Sequence, residues 1–241
     1  HKCIEKALED FKNMRKSSKL LVNDRPMGYY GFNESAHALI TLSIARTSIK
    51  LPMLNVSYHN LIKFDASFNG MKNIDEIGNE TFPSLRSLNL SHNAIINVKS
   101  HVFSHLKEVE ILDLSHNCFA KFHYDHVFIK HENLKTLHLN NNLLHTIGLL
   151  SFLPHTLVMD FLDLSQNFLK NFVNSGMQVK NLDLSYNHLN SIVILNAEDM
   201  TLNLNHNKLS EFLCLNGVFK SLNLSYNEFE YLERFKLKEA K

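Results

Sequence analysis

Residues 85–95 read L-R-S-L-N-L-S-H-N-A-I, with apolar residues at the first, fourth and sixth positions and a single Asn at the ninth. The same spacing returns at 109–119 and 134–144, and further copies centre on an Asn every 20 to 25 residues. A degenerate copy covers 61–71, and a weaker one covers 39–49. Nine ordered units predict a repeat protein, because self-similarity at a period of this length is typical of solenoids.

The Asn of each unit has a structural explanation. After each short strand the backbone must turn, and the turn leaves polar groups buried between neighbouring units. An Asn side chain carries both donors and an acceptor, so stacked Asn side chains can satisfy the turns above and below. The first unit has Thr47 instead, which offers only a hydroxyl. We predict a structural Asn ladder that consists of Asn69, Asn93, Asn117, Asn142, Asn167, Asn187, Asn207 and Asn227.

Composition and unit count together define the expected fold. Of 241 residues, 39 are Leu and 29 are Asn, the two types that the repeat needs in each unit. The predicted fold class is α/β: a leucine-rich, curved, right-handed solenoid with about nine parallel strands on its concave face and an N-terminal helical cap. Apolar residues from Ile4 to Met14 recur at steps of 4, 3 and 3, which indicates one face of a helix that either caps the first coil or binds a partner or a membrane surface. We expect a helical capping segment over 1–30, the solenoid over 31–229, and a charged tail or the start of a truncated cap over 230–241.

The intervals between ladder positions divide the solenoid into two regions. They measure 22 to 25 residues up to Asn167 and 20 residues from there to Asn227. The longer units have room for a helical turn on the return side, where each carries a Phe: Phe82, Phe103, Phe128 and Phe152. The 20-residue units have few residues left after the strand motif. We therefore expect their return side to be extended.

Several classes of function are excluded by what the sequence lacks. The formal charge of +1 gives no general reason to expect nucleic acid or an anionic membrane as partner. No apolar run reaches the roughly 18 residues of a transmembrane segment. No phosphate loop or catalytic motif occurs, so we predict that the protein is not an enzyme and has no cofactor. His92 and His116 could approach one another as zinc ligands, but a third ligand is not evident, and we predict no metal site.

Two rows of non-core side chains run across the predicted strands. The middle row reads Ser43, Asp65, Asn89, Asp113, His138, Asp163, Asp183, Asn203 and Asn223. The row before the ladder reads Arg46, Phe68, His92, His116, Asn141, Gln166, Tyr186, His206 and Tyr226. Either these residues merely keep the concave face hydrated, or they form a recognition surface anchored by aromatic side chains. For the second case we predict a binding site that consists of Phe68, His92, His116, Asp163, Asp183, Tyr186, His206 and Tyr226, centred on the last three.

Cysteines and glycosylation signals bear on the compartment. Cys118 and Cys214 lie four coils apart, or about 19 Å at the spacing of paired strands, which is too far for a disulfide. Cys3 is expected to be free or bonded to another chain. N-x-Ser/Thr sequons occur at Asn33, Asn55, Asn79, Asn89 and Asn223. The last two arise from the L-N-L-S repeat, so the first three are the better indication of a secreted glycoprotein.

The motif of residues 85–95 resembles that of the leucine-rich repeat superfamily. Within it, the mixture of 24- and 20-residue units with L-D-L-S-x-N strands is similar to that of secreted arthropod proteins, the mosquito complement-like leucine-rich repeat immune proteins. The resemblance implies binding without catalysis, through the concave face or an end of the solenoid. It does not identify the ligand.

Two functional classes therefore stay open. The first is an extracellular recognition module in innate immunity or cell-surface recognition, which binds a protein or glycan through the concave face. The second is an intracellular leucine-rich repeat adaptor or effector scaffold, which the low number of cysteines permits. Neither class requires nucleic acid or a transmembrane segment, and the sequence leaves the oligomeric state open.

Overall fold

The computed structural model describes residues 19–21, 40–47, 58–72, 74, 82–98, 102–103, 106–121, 132–147, 157–174, 178–230 and 235–238. Within these residues the secondary structure consists of strands: Lys19–Leu21 (β1), Thr41–Ser43 (β2), Lys63–Asp65 (β3), Ser87–Asn89 (β4), Ile111–Asp113 (β5), Thr136–His138 (β6), Val158–Asp163 (β7), Asn171–Asn174 (β8), Gln178–Asp183 (β9), Ser191–Asn203 (β10), Phe212–Asn223 (β11) and Phe235–Lys238 (β12). No helix occurs among the residues described. The predicted helix between Ile4 and Met14 lies outside them.

The strands form one parallel sheet that follows the order of the repeats. The hydrogen-bonded order is β1-β2-β3-β4-β5-β6-β7-β9-β10-β11-β12, and β8 pairs with β10. The central apolar residue of each repeat strand pairs in register with that of the next: Leu42, Phe64, Leu88, Leu112, Leu137, Leu162, Leu182, Leu202 and Leu222. The predicted parallel-strand solenoid is thereby confirmed.

The core runs through the inside of the coils as one continuous apolar cluster. In β5, the side chains of Ile111, Leu112 and Asp113 are exposed, buried and half-buried in turn, as the alternation of a strand requires. The buried members extend from Leu42 to Cys214. Burial of one Leu stabilises the fold by roughly 1.5–3 kcal/mol. Since each coil contacts only its neighbours, this stabilisation is distributed along the solenoid.

The ladder residues hold neighbouring coils together. The Asn117 side chain is buried, and its Nδ2 donates to the carbonyl oxygens of Leu90 (3.0 Å), Leu114 (3.1 Å) and Ser115 (3.1 Å). Its Oδ1 accepts from the N–H of Ile95 at 3.1 Å. Each Asn therefore bonds its own turn and the turn of the preceding coil. Comparable bonds are made by Asn69, Asn93, Asn142, Asn167, Asn187, Asn207 and Asn227.

The return side differs between the two regions of the solenoid, as the repeat lengths predicted. In the 20-residue coils it is extended: β8 pairs with the start of β10, the start of β10 with the start of β11, and β11 with β12. In the longer coils the described return residues include buried aromatic side chains, with the Tyr58 ring stacked on Phe82 at 5.6 Å. The predicted helical turns of these coils lie largely outside the described residues.

The two ends of the described chain are strands. Within the predicted capping segment 1–30, the structure describes β1, which pairs in parallel with β2. Within 230–241 it describes Glu230 and β12, which pairs with β11 on the return side. The sheet therefore reaches beyond the nine predicted units at both ends.

Candidate binding surface

The row before the ladder has an unusual backbone conformation throughout. Its members have φ angles between 52° and 58°, in the left-handed region: Arg46, Phe68, His92, His116, Asn141, Gln166, Tyr186, His206 and Tyr226. That region costs a residue with a side chain roughly 1–2 kcal/mol. A hydrogen bond to the next coil accompanies the turn, as when the Phe68 N–H donates to the carbonyl of Ser91 at 3.1 Å. The turn is thus a property of the repeat and aligns the row side chains along one edge of the strands.

The first four row residues form a stack, the N-terminal column (Arg46, Phe68, His92, His116). The Arg46 guanidinium lies 4.7 Å from the centre of the Phe68 ring. The rings of Phe68 and His92 have centroids 4.0 Å apart, as do those of His92 and His116, with interplanar angles of 8° and 11°. The two imidazoles therefore lie face to face, which is not the arrangement of two nitrogens directed at one zinc ion.

The last three row residues form a second stack, the tyrosine column (Tyr186, His206, Tyr226). The centroids of Tyr186 and His206 are 4.3 Å apart, and those of His206 and Tyr226 are 4.2 Å apart. The interplanar angles are 14° and 7°, so all three rings are nearly parallel. Tyr186 is 52% exposed and Tyr226 is 73% exposed. The structure thus brings together the three residues on which the predicted site was centred.

Two polar row residues, Asn141 and Gln166, separate the columns. Asn141 is half-buried and Gln166 is exposed, and both keep the left-handed turn. Neither side chain carries a ring, so the stack cannot continue through these two coils. The aromatic residues among the eight predicted binding residues therefore form two stacks and not one. Phe68, His92 and His116 belong to one column, and Tyr186, His206 and Tyr226 belong to the other.

The middle row contributes carboxylates that are partly engaged in the turns. Asp163 Oδ1 accepts from the N–H of Ser165 at 3.0 Å and from its Oγ at 2.7 Å. Asp183 Oδ1 accepts from the N–H of Ser185 at 2.8 Å, and its Oδ2 accepts from Asn203 Nδ2 at 3.0 Å. These residues thus have a structural role beside any role in binding.

Asp163 and Asp183 are neighbours, because they pair in register on β7 and β9. Burial raises the pKa of Asp163, and the negative charge of Asp183 acts in the same direction, against the hydrogen bonds from Ser165. None of the ion pairs within the described ranges involves either carboxylate. The pair therefore places negative charge on the face that adjoins the tyrosine column.

A column of alternating charge crosses the starts of the strands and was missed by the sequence analysis. Lys135 Nζ lies 2.7 Å from Glu110, Arg86 Nη1 lies 3.4 Å from Glu110, and Lys180 Nζ lies 2.7 Å from Asp160. The Lys135 hydrogen bond lowers the pKa of Glu110. The signal was present in the second position of each repeat, where the sign of the charge alternates from Arg86 to Lys180. Each of the three basic side chains at this edge is thus paired with a carboxylate.

A further aromatic cluster lies beyond the ladder, and it too was not predicted. The Phe168 ring lies 5.4 Å from His145 and 5.6 Å from His188, measured between centroids. Phe168 is 40% exposed. The rings of this cluster are tilted or farther apart than those of the two columns. The cluster can therefore serve as a control surface for the columns.

The remaining predicted sites fall in several places. Cys118 is a half-buried free thiol, and Cys214 is a buried free thiol whose pKa is raised by burial, while Cys3 lies outside the described residues. Among the sequons, Asn89 is half-buried and Asn223 is exposed, and both side-chain oxygens accept from the Ser two residues later. Asn33, Asn55 and Asn79 lie outside the described residues. Within the described chain, no group of three His, Cys, Asp or Glu side chains is placed to hold a metal ion, and no helix has the length and apolarity to cross a membrane.

Comparison with known families and sequences identifies the repeat. A family model described as "Leucine rich repeat" matches residues 59–119 and 83–144. Tsukushi from Xenopus tropicalis is 38% identical over 90 residues, which make up 36% of this chain and 25% of that protein. The match thus spans a quarter of the length of this curated relative.

Solved structures are similar to this chain over most of its length. The TLR13–ssRNA13 complex superimposes with a TM-score of 0.58 and 24% identity, over 71% of this chain and 26% of that one. YopM from Yersinia enterocolitica has a TM-score of 0.57 and 19% identity, over 93% of this chain and 51% of that one. At these identities the likeness concerns the fold alone.

Proposed function

The chain belongs to the leucine-rich repeat superfamily, and from this premise we propose that it is an extracellular recognition module which binds its partner through the strand face. We define the strand face as the surface formed by the repeat strands and the row before the ladder. Repeat scaffolds of this kind generally bind proteins and lack catalysis. The partner we propose is a protein or a glycan, in innate immunity or cell-surface recognition.

The observation that carries the proposal is the exposed tyrosine column. A left-handed backbone is best tolerated by Gly and Asn, and it is an outlier conformation for a bulky side chain. Tyr at this position is therefore not the choice that stability alone favours, although stacking offsets part of the cost. Rigid, half-exposed tyrosines are typical anchors of binding interfaces. Two tyrosines with a histidine stacked between them provide a pre-formed surface on which a partner can pack with little loss of entropy.

The test compares the native chain with a variant in which the rings are removed but the turn is retained. Asn141 occupies the same row position with the same backbone, so Tyr186→Asn together with Tyr226→Asn is expected to fold. The full chain is panned against a random-peptide phage library and screened on a glycan array. We expect binders whose affinity falls at least about 30-fold, or 2 kcal/mol, for the double variant.

Phe168→Asn serves as the matched control, because it removes an exposed aromatic ring from outside the strand face. Binders are expected to retain their affinity for this variant. Undiminished binding to a folded double Asn variant would move the site to the return side, to the flank or to residues 1–30. That outcome would contradict the proposal.

The extracellular assignment rests on the sequons and has its own test. Expression in a secreting eukaryotic cell followed by intact-mass measurement is expected to show glycan at Asn33, Asn55 or Asn79. The free thiols Cys118 and Cys214 favour the second candidate, an intracellular adaptor, because a reducing compartment keeps thiols free. Absence of glycan from all three asparagines would favour that candidate over secretion.

A further inference from the structure

The central part of the strand face consists of residues 111–116, 136–141, 161–166 and 181–186, which include β5, β6 and the ends of β7 and β9. We call this part the acidic face; it adjoins the tyrosine column at Tyr186. We propose that the acidic face binds a basic segment of a protein partner, in which Lys or Arg residues alternate with apolar ones. This inference rests on the proposed function and names the chemistry of the partner.

The acidic face carries charge of one sign only. Its residues include three carboxylates, those of Asp113, Asp163 and Asp183, and no Lys or Arg. With its two histidines neutral, it therefore has three negative charges, whereas the same positions of the three preceding coils include two basic side chains and one carboxylate. A basic segment thus complements this part of the strand face, and an acidic segment does not.

The starts of the same strands do not offset this charge. They contribute Lys135 and Lys180, which lie 2.7 Å from Glu110 and Asp160, respectively. These four residues together have no net charge. None of the ion pairs formed between described residues includes a carboxylate of the acidic face.

Two of the three carboxylates have an oxygen that is available to a partner. Asp113 Oδ1 accepts from the N–H of Ser115 at 2.9 Å and from its Oγ at 2.7 Å, and Asp163 Oδ1 makes the corresponding bonds to its own turn. Among the residues that the structure describes, none donates a hydrogen bond to the Oδ2 atom of either carboxylate. Burial raises the pKa of Asp163, and the charge of Asp183 acts in the same direction. A cation that approaches these oxygens would favour the charged form of Asp163.

Apolar side chains lie beside these two carboxylates. Ile111 precedes Asp113 by two residues, so both lie on the same side of β5, and Ile111 is 44% exposed. Phe161 precedes Asp163 in the same way on β7, and its ring lies 5.4 Å from that of His138. Both strands pair with a neighbour on each side, so this exposure does not arise from an end of the chain. A segment that combines basic with apolar residues therefore matches the acidic face better than a purely basic one.

The test measures the fluorescence anisotropy of labelled peptides in the presence of the full chain, at neutral pH and low salt. The basic probe is fluorescein-labelled Gly-Lys-Leu-Gly-Lys-Leu-Gly-Lys amide. The neutral probe is the same peptide with acetyl-lysine, which keeps the length and lacks the charge. We expect the basic probe to bind at least about tenfold more tightly than the neutral probe, and to lose affinity as salt is added. Equal binding of the two probes to the native chain would overturn the inference.

A double variant, Asp113→Asn with Asp163→Asn, removes two charges and retains the turns. Asn89 holds the same repeat position, and its Oδ1 accepts from the N–H two residues later at 2.9 Å. We expect the affinity for the basic probe to fall at least about fivefold in this variant. The matched control is Glu198→Gln with Glu211→Gln, which removes the same charge from exposed residues outside the strand face. The control is expected to change the affinity by less than about twofold.

The outcomes separate this inference from the proposed function. Undiminished binding of the basic probe to the folded double Asn variant would overturn the inference. An equal loss in the control variant would also overturn it, because the attraction would then be to negative charge in general. If the library and array yield binders that depend on the tyrosine column, lack an excess of Lys and Arg and tolerate the double Asn variant, the proposed function stands and this inference fails. If they yield no column-dependent binder and the basic probe does not bind, both fail.

Discussion

The N-terminal column and the tyrosine column have the same backbone and different chemistry. Every member of both has a φ angle between 52° and 58°, and successive rings in both are 4.0–4.3 Å apart. In the N-terminal column, two imidazoles are adjacent and a guanidinium covers the end. In the tyrosine column a single imidazole lies between two phenol rings. The repeat thus determines where the side chains stack, and the residue types determine what each stack does.

This difference shows which charged groups of the surface already have a partner within the chain. Arg46 already provides the N-terminal column with its cation, and Glu110 and Asp160 pair with the three basic residues at the other edge of the strands. The tyrosine column has two exposed phenol rings, those of Tyr186 and Tyr226. A surface that still has unused contacts is the better candidate for a partner. The comparison therefore places the expected site in the 20-residue coils.

The largest expected effect comes from breaking what the two regions share, the Asn ladder. We expect Asn117→Ala and Asn207→Ala each to lower the free energy of unfolding by about 1–3 kcal/mol, because each leaves buried turn groups without a partner. Asn207 Nδ2 donates to Leu184 at 2.9 Å and to Leu204 at 3.1 Å, and its Oδ1 accepts from Leu189 at 3.0 Å. Chemical denaturation measures both variants.

Asn190→Ala is the control for the ladder, since Asn190 is exposed and one coil away from Asn207. Its midpoint of denaturation should stay at the native value. If Asn117→Ala were as stable as the native chain while Asn207→Ala were not, the ladder would hold only the 20-residue coils together. The two regions would then differ in their stabilisation as well as in their surfaces.

Much of the fold follows from the sequence because the repeat determines it residue by residue. The period of the Leu positions predicts the parallel strands, and the donors and acceptor of Asn predict the ladder. The change from 25 to 20 residues after Asn167 predicts the extended return side that β8 and β10 form. Each of these inferences needs only contacts between one coil and the next, which the sequence spacing specifies.

The surface was less predictable, because its geometry depends on the backbone torsion of a single position. The sequence placed Tyr186, His206 and Tyr226 in one line, but it did not reveal the left-handed turn that makes their rings parallel. It grouped Phe68 with Tyr226, whereas Asn141 and Gln166 interrupt the row. The pairing of Lys180 with Asp160 was likewise missed. A single charged residue at a strand edge is common, and only the alternation of charge from one repeat to the next indicates ion pairs.

A second prediction compares a stacked row position with an unstacked one. Gln166→Gly removes the steric cost of the left-handed turn, roughly 1–2 kcal/mol, and adds roughly 0.5–1 kcal/mol of unfolded-state entropy. We expect a net stabilisation of about 0.5–1 kcal/mol. His92→Gly relieves the same turn but loses two stacking contacts of about 0.5–1.5 kcal/mol each, so it is expected to destabilise by about 1 kcal/mol. Chemical denaturation measures the stability of both variants. If both were stabilised equally, stacking would not compensate for the strain of the left-handed turn.

The smallest expected effect concerns acid, and it follows from the adjacent imidazoles of the N-terminal column. Burial lowers the pKa of His92, as do the nearby His116 and Arg46, while Asp113 opposes them. A base whose pKa is lower in the folded state binds fewer protons when folded, so stability is lost as the pH falls through the unfolded-state value of about 6.5. We expect the temperature of the unfolding midpoint to decrease as the pH is lowered from about 7.5 to about 5.5. The decrease is expected to be smaller in His92→Asn. Asn is the residue that the same turn already carries at Asn141. His206→Asn, which removes one imidazole from the tyrosine column, provides the comparison. An equal reduction of the acid effect in both variants would show that it does not arise from the adjacent imidazoles, and the two columns would then respond to acid alike.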